Sequence, residues 1–410
     1  MRFSHDRLRI ADRALSGFIE RAELAGIVSL IAQHGEIVHL QALGAAQVQP
    51  LRAMRTDTLF RIFSMTKPVT SVALMMLLEE GRVRLNDPVA KYLPGLADMP
   101  VYVSGQGATV TTRRPARPMT VHDLLTHTSG LVYDYQGNDG VHGLYKRLEL
   151  LPTAYWFGLP GQRPDRIHDR EEFLARVAAA ALAHDPGLRF SYGISTDVLG
   201  VLIETIAGAS LAEFFAARIF EPLGMSDTAF HVPPHKLDRF AASYVRGADG
   251  RMQLQDDPFA PGPFTSVPQF MSGGCGLVAT AADYWRFLQM LLNRGELQGV
   301  RLLSPASVAM MTTDRLGGQP GVAEMFAELT TGLGARALGY GLGFAVVDEP
   351  RFLSVPSSKG EYFWGGAAST MFWVEPQRQI IGIFFTQMVP TETYPLRSLF
   401  KTLTYQALIP

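Results

Sequence analysis

Along this chain the spacing of apolar residues changes character twice. In the opening "MRFSHDRLRIADRALSGFIERAELAG", Leu8, Ala11, Leu15 and Phe18 recur at the interval of one helical face, which predicts an amphipathic helix. The following "GIVSLIAQHGEIVHLQALGAA" clusters its apolar residues without helical period. A turn former at His34 and Gly35 divides it, so two antiparallel strands are expected. The far end has the same character. "YGLGFAVV", "EYFWGG", "STMFWVEP" and "QIIGIFFTQM" are short, rich in aromatic and β-branched residues, and separated by turn formers such as "EPQRQ". A closing helix is read in "PLRSLFKTLTYQAL".

Between these ends the pattern turns helical. "TVHDLLTHTSG", "REEFLARVAAAALAHDPG", "STDVLGVLIETIAG" and "SLAEFFAARIFEPLG" are each bounded by cap residues and by Gly or Pro stops. Ser195 or Thr196 is the expected cap of the third, and Ser210 with Glu213 reads as a capping box before the fourth. Residues 133–169, rich in Tyr, Trp, Gly and Pro, predict a long loop. The expected class is α+β. Residues 1–85 and 271–410 build one antiparallel sheet from both termini, flanked by helices. A mostly helical domain, 86–270, is inserted between them, with the long loop over a cleft at the join.

Composition narrows the function. A chain of 410 residues with 47% hydrophobic and 18% charged content can bury a large core. A formal net charge of -1 provides no footprint for nucleic acid, and no Lys/Arg run suggests a membrane surface, so a small-molecule partner is expected. The start lacks the basic-then-apolar order of a signal peptide, and the longest apolar run, "VALMMLL", is far below the roughly 18 residues that span a bilayer; a cytoplasmic address is expected. Cys275 is alone and reads as a small buried residue in the tight turn "SGGCGL". His231 and His235 are four apart, but Pro233 and Pro234 deny them a shared helical face, so no metal site is expected there, and no cofactor motif is present.

The candidate chemistry lies in "RIFSMTKPVT". Ser64 and Lys67 are three apart, on one helical face, and Pro68 is tolerated only in a first turn, so Ser64 sits at or just before a helix N-terminus. Free N–H groups there favour an anion developing beside Ser64, and a desolvated lysine amine is a base able to activate a serine. Ser-x-x-Lys alone is weak, arising by chance in roughly one such chain in three. The long apolar run that follows strengthens it by predicting a buried helix. Tyr192, in "PGLRFSYGISTDVLG", ends an extended piece before a helix. It either points into the cleft, where a phenol near an ammonium can shuttle protons, or packs beneath the helix start. Gly365 and Gly366 interrupt the aromatic strand "EYFWGGAASTMFWVEP", marking a bulge or a close approach by a ligand. The N–H of Ala367 just beyond can join that of Ser64 in an oxyanion hole. His127 in "LLTHTSGL" reads as a helix-end contact to carbonyls, not as a base. Tyr133, Tyr135, Trp156 and Phe157 either line the pocket or pin the loop.

Taken in order, "FSMTKPVTSVALMMLLEEGRVRLNDPVAKYLP", "MTVHDLLTHTSGL", "PGLRFSYGISTDVLGVLIETIAG", "IFEPLGMSDT", "SGGCGLVATAADYWRF" and "WGG" resemble the serine β-lactamase and penicillin-binding superfamily. The resemblance is greatest to class C β-lactamases and family VIII carboxylesterases. It implies that Ser64 is acylated, that Lys67 and Tyr192 form its base pair, and that Ala367 helps bind the oxyanion. Two departures bear on substrate. The family's Tyr-x-Asn reads "YGI", so Ile194 removes an amide that contacts an acylamino group. Its Lys-Thr-Gly reads Trp364-Gly365-Gly366, so the cation facing a penicillin's carboxylate is missing. Both favour uncharged substrates, with Trp364 offering an apolar face to an ester. The resemblance therefore implies a serine carboxylesterase acting on short-chain or moderately bulky esters, with weak cephalosporin hydrolysis. Behind it stand an acyltransferase, then a β-lactamase or D-amino-acid peptidase, then a non-catalytic binding homologue. The motif Gly-x-Ser-x-Gly of α/β-hydrolases is absent.

Overall fold

The computed structural model describes residues 1–137, 140–152, 167, 169–317, 321–331 and 336–410. Its centre is an eight-stranded antiparallel sheet. In chain order the strands are β1 (Gly26–Gln33), β2 (Glu36–Gln47), β3 (Arg52–Ala53), β4 (Leu338–Tyr340), β5 (Ala345–Val347), β6 (Tyr362–Gly366), β7 (Thr370–Glu375) and β8 (Ile380–Phe385). In space they run β4-β5-β6-β7-β8-β1-β2-β3. The join between the two ends of the chain is the β8–β1 ladder, in which Ile380 faces Gln33 and Phe385 faces Val28.

Five helices matter to the site: α1 (His5–Glu20), α2 (Thr66–Glu79), α3 (Ser195–Ala207), α4 (Ala281–Leu292) and α5 (Leu396–Tyr405). Both faces of the sheet are covered. On one, Phe400 of α5 meets Trp373 and Phe384 at 5.5 and 5.3 Å, and α1 buries Leu8, Ala11 and Leu15. On the other, Tyr284 of α4 meets Phe372 at 5.3 Å. Two covered faces leave no solvent side for polar residues, which is why β1, β7 and β8 are buried at every position instead of alternating. α2 is buried from Thr66 to Leu77, as a helix apolar on all sides must be.

The hairpin at His34 and Gly35, the closing helix and the Ser210–Glu213 capping box are all present. Other expectations are revised. "YGLGFAVV" is two strands, β4 and β5, because the chain turns back through Gly341–Phe344. The stretch 133–169 carries a helix, Gly140–Leu148. The helical middle also contains a hairpin, Val101–Ser104 with Thr111–Arg113, and a pair, Ser243–Arg246 with Met252–Asp256, that Met388–Val389 joins in parallel. Neither Ser195 nor Thr196 caps α3. The N-cap is Ile194, while the Ser195 hydroxyl pairs with that of Ser129 at 2.8 Å. Cys275 is fully buried.

A buried ion pair ties α5 to the sheet: Lys401 Nζ donates to Glu361, a carboxylate with no exposure. Burial pushes the Glu361 carboxyl above its ordinary value, and the Lys401 ammonium opposes that rise. Removing one partner strands the other charge. Lys401→Met should therefore cost about 3–5 kcal/mol in urea unfolding, and adding Glu361→Gln should recover most of it. Equal stability of the Lys401→Met protein and the wild type would refute this account.

Candidate active site

Ser64 lies in a 3₁₀ turn, Phe63–Met65, that runs directly into α2. Pro68 falls in the helix's first turn, where its missing N–H has no partner to lose. The turn is held from below. Ile62 N–H donates to Leu277 O at 3.1 Å, Leu277 N–H donates to Thr66 Oγ1 at 3.1 Å, and the buried Tyr284 hydroxyl donates to Met65 O at 2.8 Å. Phe63 has φ of 42°, a left-handed conformation uncommon outside glycine, so the chain kinks just before Ser64.

Two groups converge on the Ser64 hydroxyl. Lys67 Nζ donates to Ser64 Oγ at 3.0 Å, and Tyr192 O–H donates to the same oxygen at 2.8 Å. Lys67 has no exposure, and its Nζ also donates to the Gly274 carbonyl at 2.8 Å. It lies 4.8 Å from the centroid of the Tyr192 ring and 5.6 Å from that of Tyr133. The Gly274 carbonyl is itself held from α3. The buried Asp197 accepts from Ser272 Oγ at 2.5 Å and from Gly274 N–H at 3.1 Å, while Thr70 Oγ1 of α2 donates to Gly273 O at 2.7 Å. The loop 272–275 thus clamps the helix bearing Lys67 to the helix that follows Tyr192. Sequence reasoning saw that loop as the seat of Cys275 and as one anchor of the resemblance, without a role in holding the site. It missed Asp197, which resembles any acidic residue of a first helical turn, and Tyr284, which resembles any core aromatic.

Aromatic rings fix Tyr192 from three sides: His127 at 4.9 Å, Tyr133 at 5.1 Å and Trp364 at 5.4 Å. Here several expectations are corrected. Among the described residues the His127 ring has no hydrogen bond to a helix-end carbonyl: its Nε2 faces Thr196 Oγ1 at 3.4 Å and its Nδ1 has no partner. Burial first, and then the charge of Lys67, hold its imidazole well below the ordinary titration range, so it is a neutral platform under Tyr192. Trp364 packs at steep angles against Tyr192, Phe326 and Tyr340 and is 2% exposed. Ile194 is completely buried as the residue preceding α3. Tyr133 is also fully buried, and the half-exposed Tyr135 stacks over it at 5.1 Å. Trp156 and Phe157 lie outside the described residues.

Gly365 and Gly366 pair in regular register with Met371 and Thr370, so they form no bulge. What approaches them is the protein. A Cβ on Gly366 would stand 2.3 Å from Ile62 O, and one on Gly365 would stand 2.5 Å from a guanidinium nitrogen of Arg397. The first contact draws the end of β6, and Ala367 just beyond it, against the turn that carries Ser64. Pairing of β5 to β6 stops at Phe363, leaving Trp364–Gly366 with an edge that no described strand covers. Among the described residues no cluster of His, Cys, Asp and Glu could hold a metal, and no single helix is long and apolar enough to cross a membrane.

Comparison with known proteins agrees with this arrangement. The Beta-lactamase family model matches residues 11–405. Protein Rv1367c of Mycobacterium tuberculosis is 35% identical, over 90% of this chain and 86% of its own. Esterase EstB of Burkholderia gladioli is 31% identical, over 91% of this chain and 89% of its own. Among solved structures, EstCE1, described as a hydrolase with promiscuous acyltransferase activity, superposes with a TM-score of 0.79 at 25% identity, covering 98% of this chain and 99% of that one. A serine whose oxygen meets a lysine and a tyrosine at the join of an antiparallel sheet and a buried helix, in a chain matched almost end to end, leads to one conclusion: this protein belongs to the β-lactamase family and is a serine hydrolase.

Proposed function

We propose that the protein is a carboxylesterase that hydrolyses short-chain or moderately bulky esters through an acyl-enzyme on Ser64. The observation that carries this reading is the convergence of Lys67 Nζ and Tyr192 O–H on one serine oxygen, at 3.0 and 2.8 Å. Both groups reach the serine oxygen, so whichever of them has given up a proton, Lys67 as the neutral amine or Tyr192 as the phenolate, can take the serine's. Ser64 Oγ attacks the ester carbonyl carbon while its proton passes to the Lys67–Tyr192 pair. The carbonyl oxygen becomes an oxyanion facing the N–H groups of Ser64 and Ala367. Collapse breaks the bond to the alcohol oxygen, which leaves with the proton from the pair. Water then repeats the sequence on the acyl-enzyme, releasing the acid and restoring Ser64. Proton transfer by a positioned group is worth about 10²- to 10⁴-fold, and one oxyanion donor about 10²- to 10³-fold.

Acyl transfer to an alcohol is the second reading, favoured by the described activity of EstCE1. The two differ only in what deacylates the enzyme. A β-lactamase reading is weakened because Ile194, at the position of the superfamily's asparagine, is buried and supplies no polar contact to an acylamino group.

Ser64→Ala should abolish turnover of p-nitrophenyl butyrate and labelling by a fluorophosphonate, with the circular dichroism spectrum unchanged. Tyr192→Phe should lower kcat by about 10²- to 10⁴-fold with little change in KM. Near-normal turnover by a folded Ser64→Ala protein would sink the central claim. Adding butanol and quantifying butyl butyrate against butyrate separates the two readings: ester as the major product favours transfer, acid favours hydrolysis. Because one hydrogen bond to the acylamino group is lost, kcat/KM for p-nitrophenyl butyrate should exceed that for benzylpenicillin by at least about tenfold. Parity would return the β-lactamase reading to first place.

A further inference from the structure

The two segments that bring Tyr133 and Tyr192 to Ser64 form a wall with two sides. Gly193 makes their contact close, since a Cβ there would stand 2.3 Å from the Leu131 carbonyl oxygen and 2.5 Å from Val132 Cα. On the inner side the Tyr133 and Tyr192 rings meet at 5.1 Å. Val132 and Ser191, each one residue earlier in the chain, face the other way and line a cavity of about 340 Å³. Neither Ser64, Lys67 nor either tyrosine is among its described lining residues, so it is separate from the site of acylation.

The mechanism leaves this cavity unused, yet its size falls within the roughly 300–1,000 Å³ of small-molecule sites. Val103, Val132, Val141 and Ala183 give it aliphatic walls, and Arg189, Gln136 and His142 give it polar ones. No carboxylate is among the described lining residues. The Arg189 side chain is exposed and, among the described residues, makes neither a hydrogen bond nor an ion pair. Val141 and His142 belong to the first turn of the nine-residue helix Gly140–Leu148, an end whose dipole favours an anion. A guanidinium beside aliphatic walls suits a small carboxylate with a hydrocarbon body: the head takes two N–H groups at once and the body leaves water. Inorganic phosphate would leave the aliphatic walls unused.

Ser191 ties the cavity to the chemistry. Its hydroxyl donates to His184 Nε2 at 2.9 Å, because Nδ1 of that ring lies 2.9 Å from the Asp185 carbonyl, which can only accept. Its N–H donates to His127 O at 2.7 Å. The next residue carries the hydroxyl that stands 2.8 Å from Ser64 Oγ, so an occupant that displaces Ser191 misplaces a reacting group. We propose that the cavity is a second ligand site, for a small aliphatic carboxylate, and that its occupancy lowers turnover at Ser64 without competing with the ester. The acid released by ester hydrolysis is of this class. The action on turnover rests on the esterase reading of Ser64, whereas the binding does not.

Hexanoate is the probe and hexanamide its uncharged counterpart. In calorimetric titration of the Ser64→Ala protein, hexanoate should bind at least about tenfold more tightly than hexanamide. Adding Arg189→Met should remove the difference, and Arg189→Lys should keep part of it. With the wild type and p-nitrophenyl butyrate, saturating hexanoate should lower kcat about fivefold or more and leave KM unchanged. The Arg189→Met enzyme should keep its basal kcat and lose that response. No preference for hexanoate, a preference that survives in a folded Arg189→Met protein, or inhibition that only raises KM overturns the proposal. Arg189-dependent binding with kcat unaffected overturns the action on Tyr192. Absence of ester turnover, with Arg189-dependent binding intact, overturns the esterase reading and leaves the second site standing.

Discussion

Burying a lysine head group is costly unless its N–H groups find acceptors, and the active-site region is organised around meeting that condition for Lys67. The residue has no exposure at all. Its acceptors include Ser64 Oγ and the Gly274 carbonyl, with the Tyr192 and Tyr133 rings on its flanks. The Gly274 carbonyl stays in place only because Asp197 holds the loop from α3 and Thr70 holds it from α2. One polar requirement thus joins three segments far apart in sequence, and the serine is positioned as part of the same network.

The site is drawn together by two close approaches that need glycine. Gly366 lets the end of β6 reach the Ile62 carbonyl, and Gly193 lets the segment bearing Tyr192 pass 2.3 Å, measured from a hypothetical Cβ, from the Leu131 carbonyl. Larger residues would push the strand, the serine turn and the tyrosine apart. Since reacting groups must be held to within a fraction of an ångström, this backbone packing is a condition of the chemistry and not only of stability.

Aromatic side chains that look like pocket walls in the sequence serve mainly to hold Tyr192. Trp364, Tyr133 and the neutral His127 surround its ring, restricting the hydroxyl to the direction of Ser64. Trp364 is 2% exposed in that packing and carries no charge.

Much of this is legible in the sequence. The hairpin at His34 and Gly35, the strands from both ends, the buried helix after Ser64 and the juxtaposition of Ser64 with Lys67 follow from local periodicity and from a first-turn proline, which act over a few residues. Those interactions are encoded where they occur. The roles of Trp364, Ile194 and Tyr133 could not be read that way, because residue type does not say which face of a strand or turn meets the core. Asp197, Gly274 and Arg397 were invisible for a related reason: each acts on a residue more than 30 positions away, through contacts that exist only once the sheet has closed. Sequence alone determined which chemical groups were available and which helix would carry them. The tertiary structure decided which of those groups face one another, since direction in space is set by packing across the whole chain.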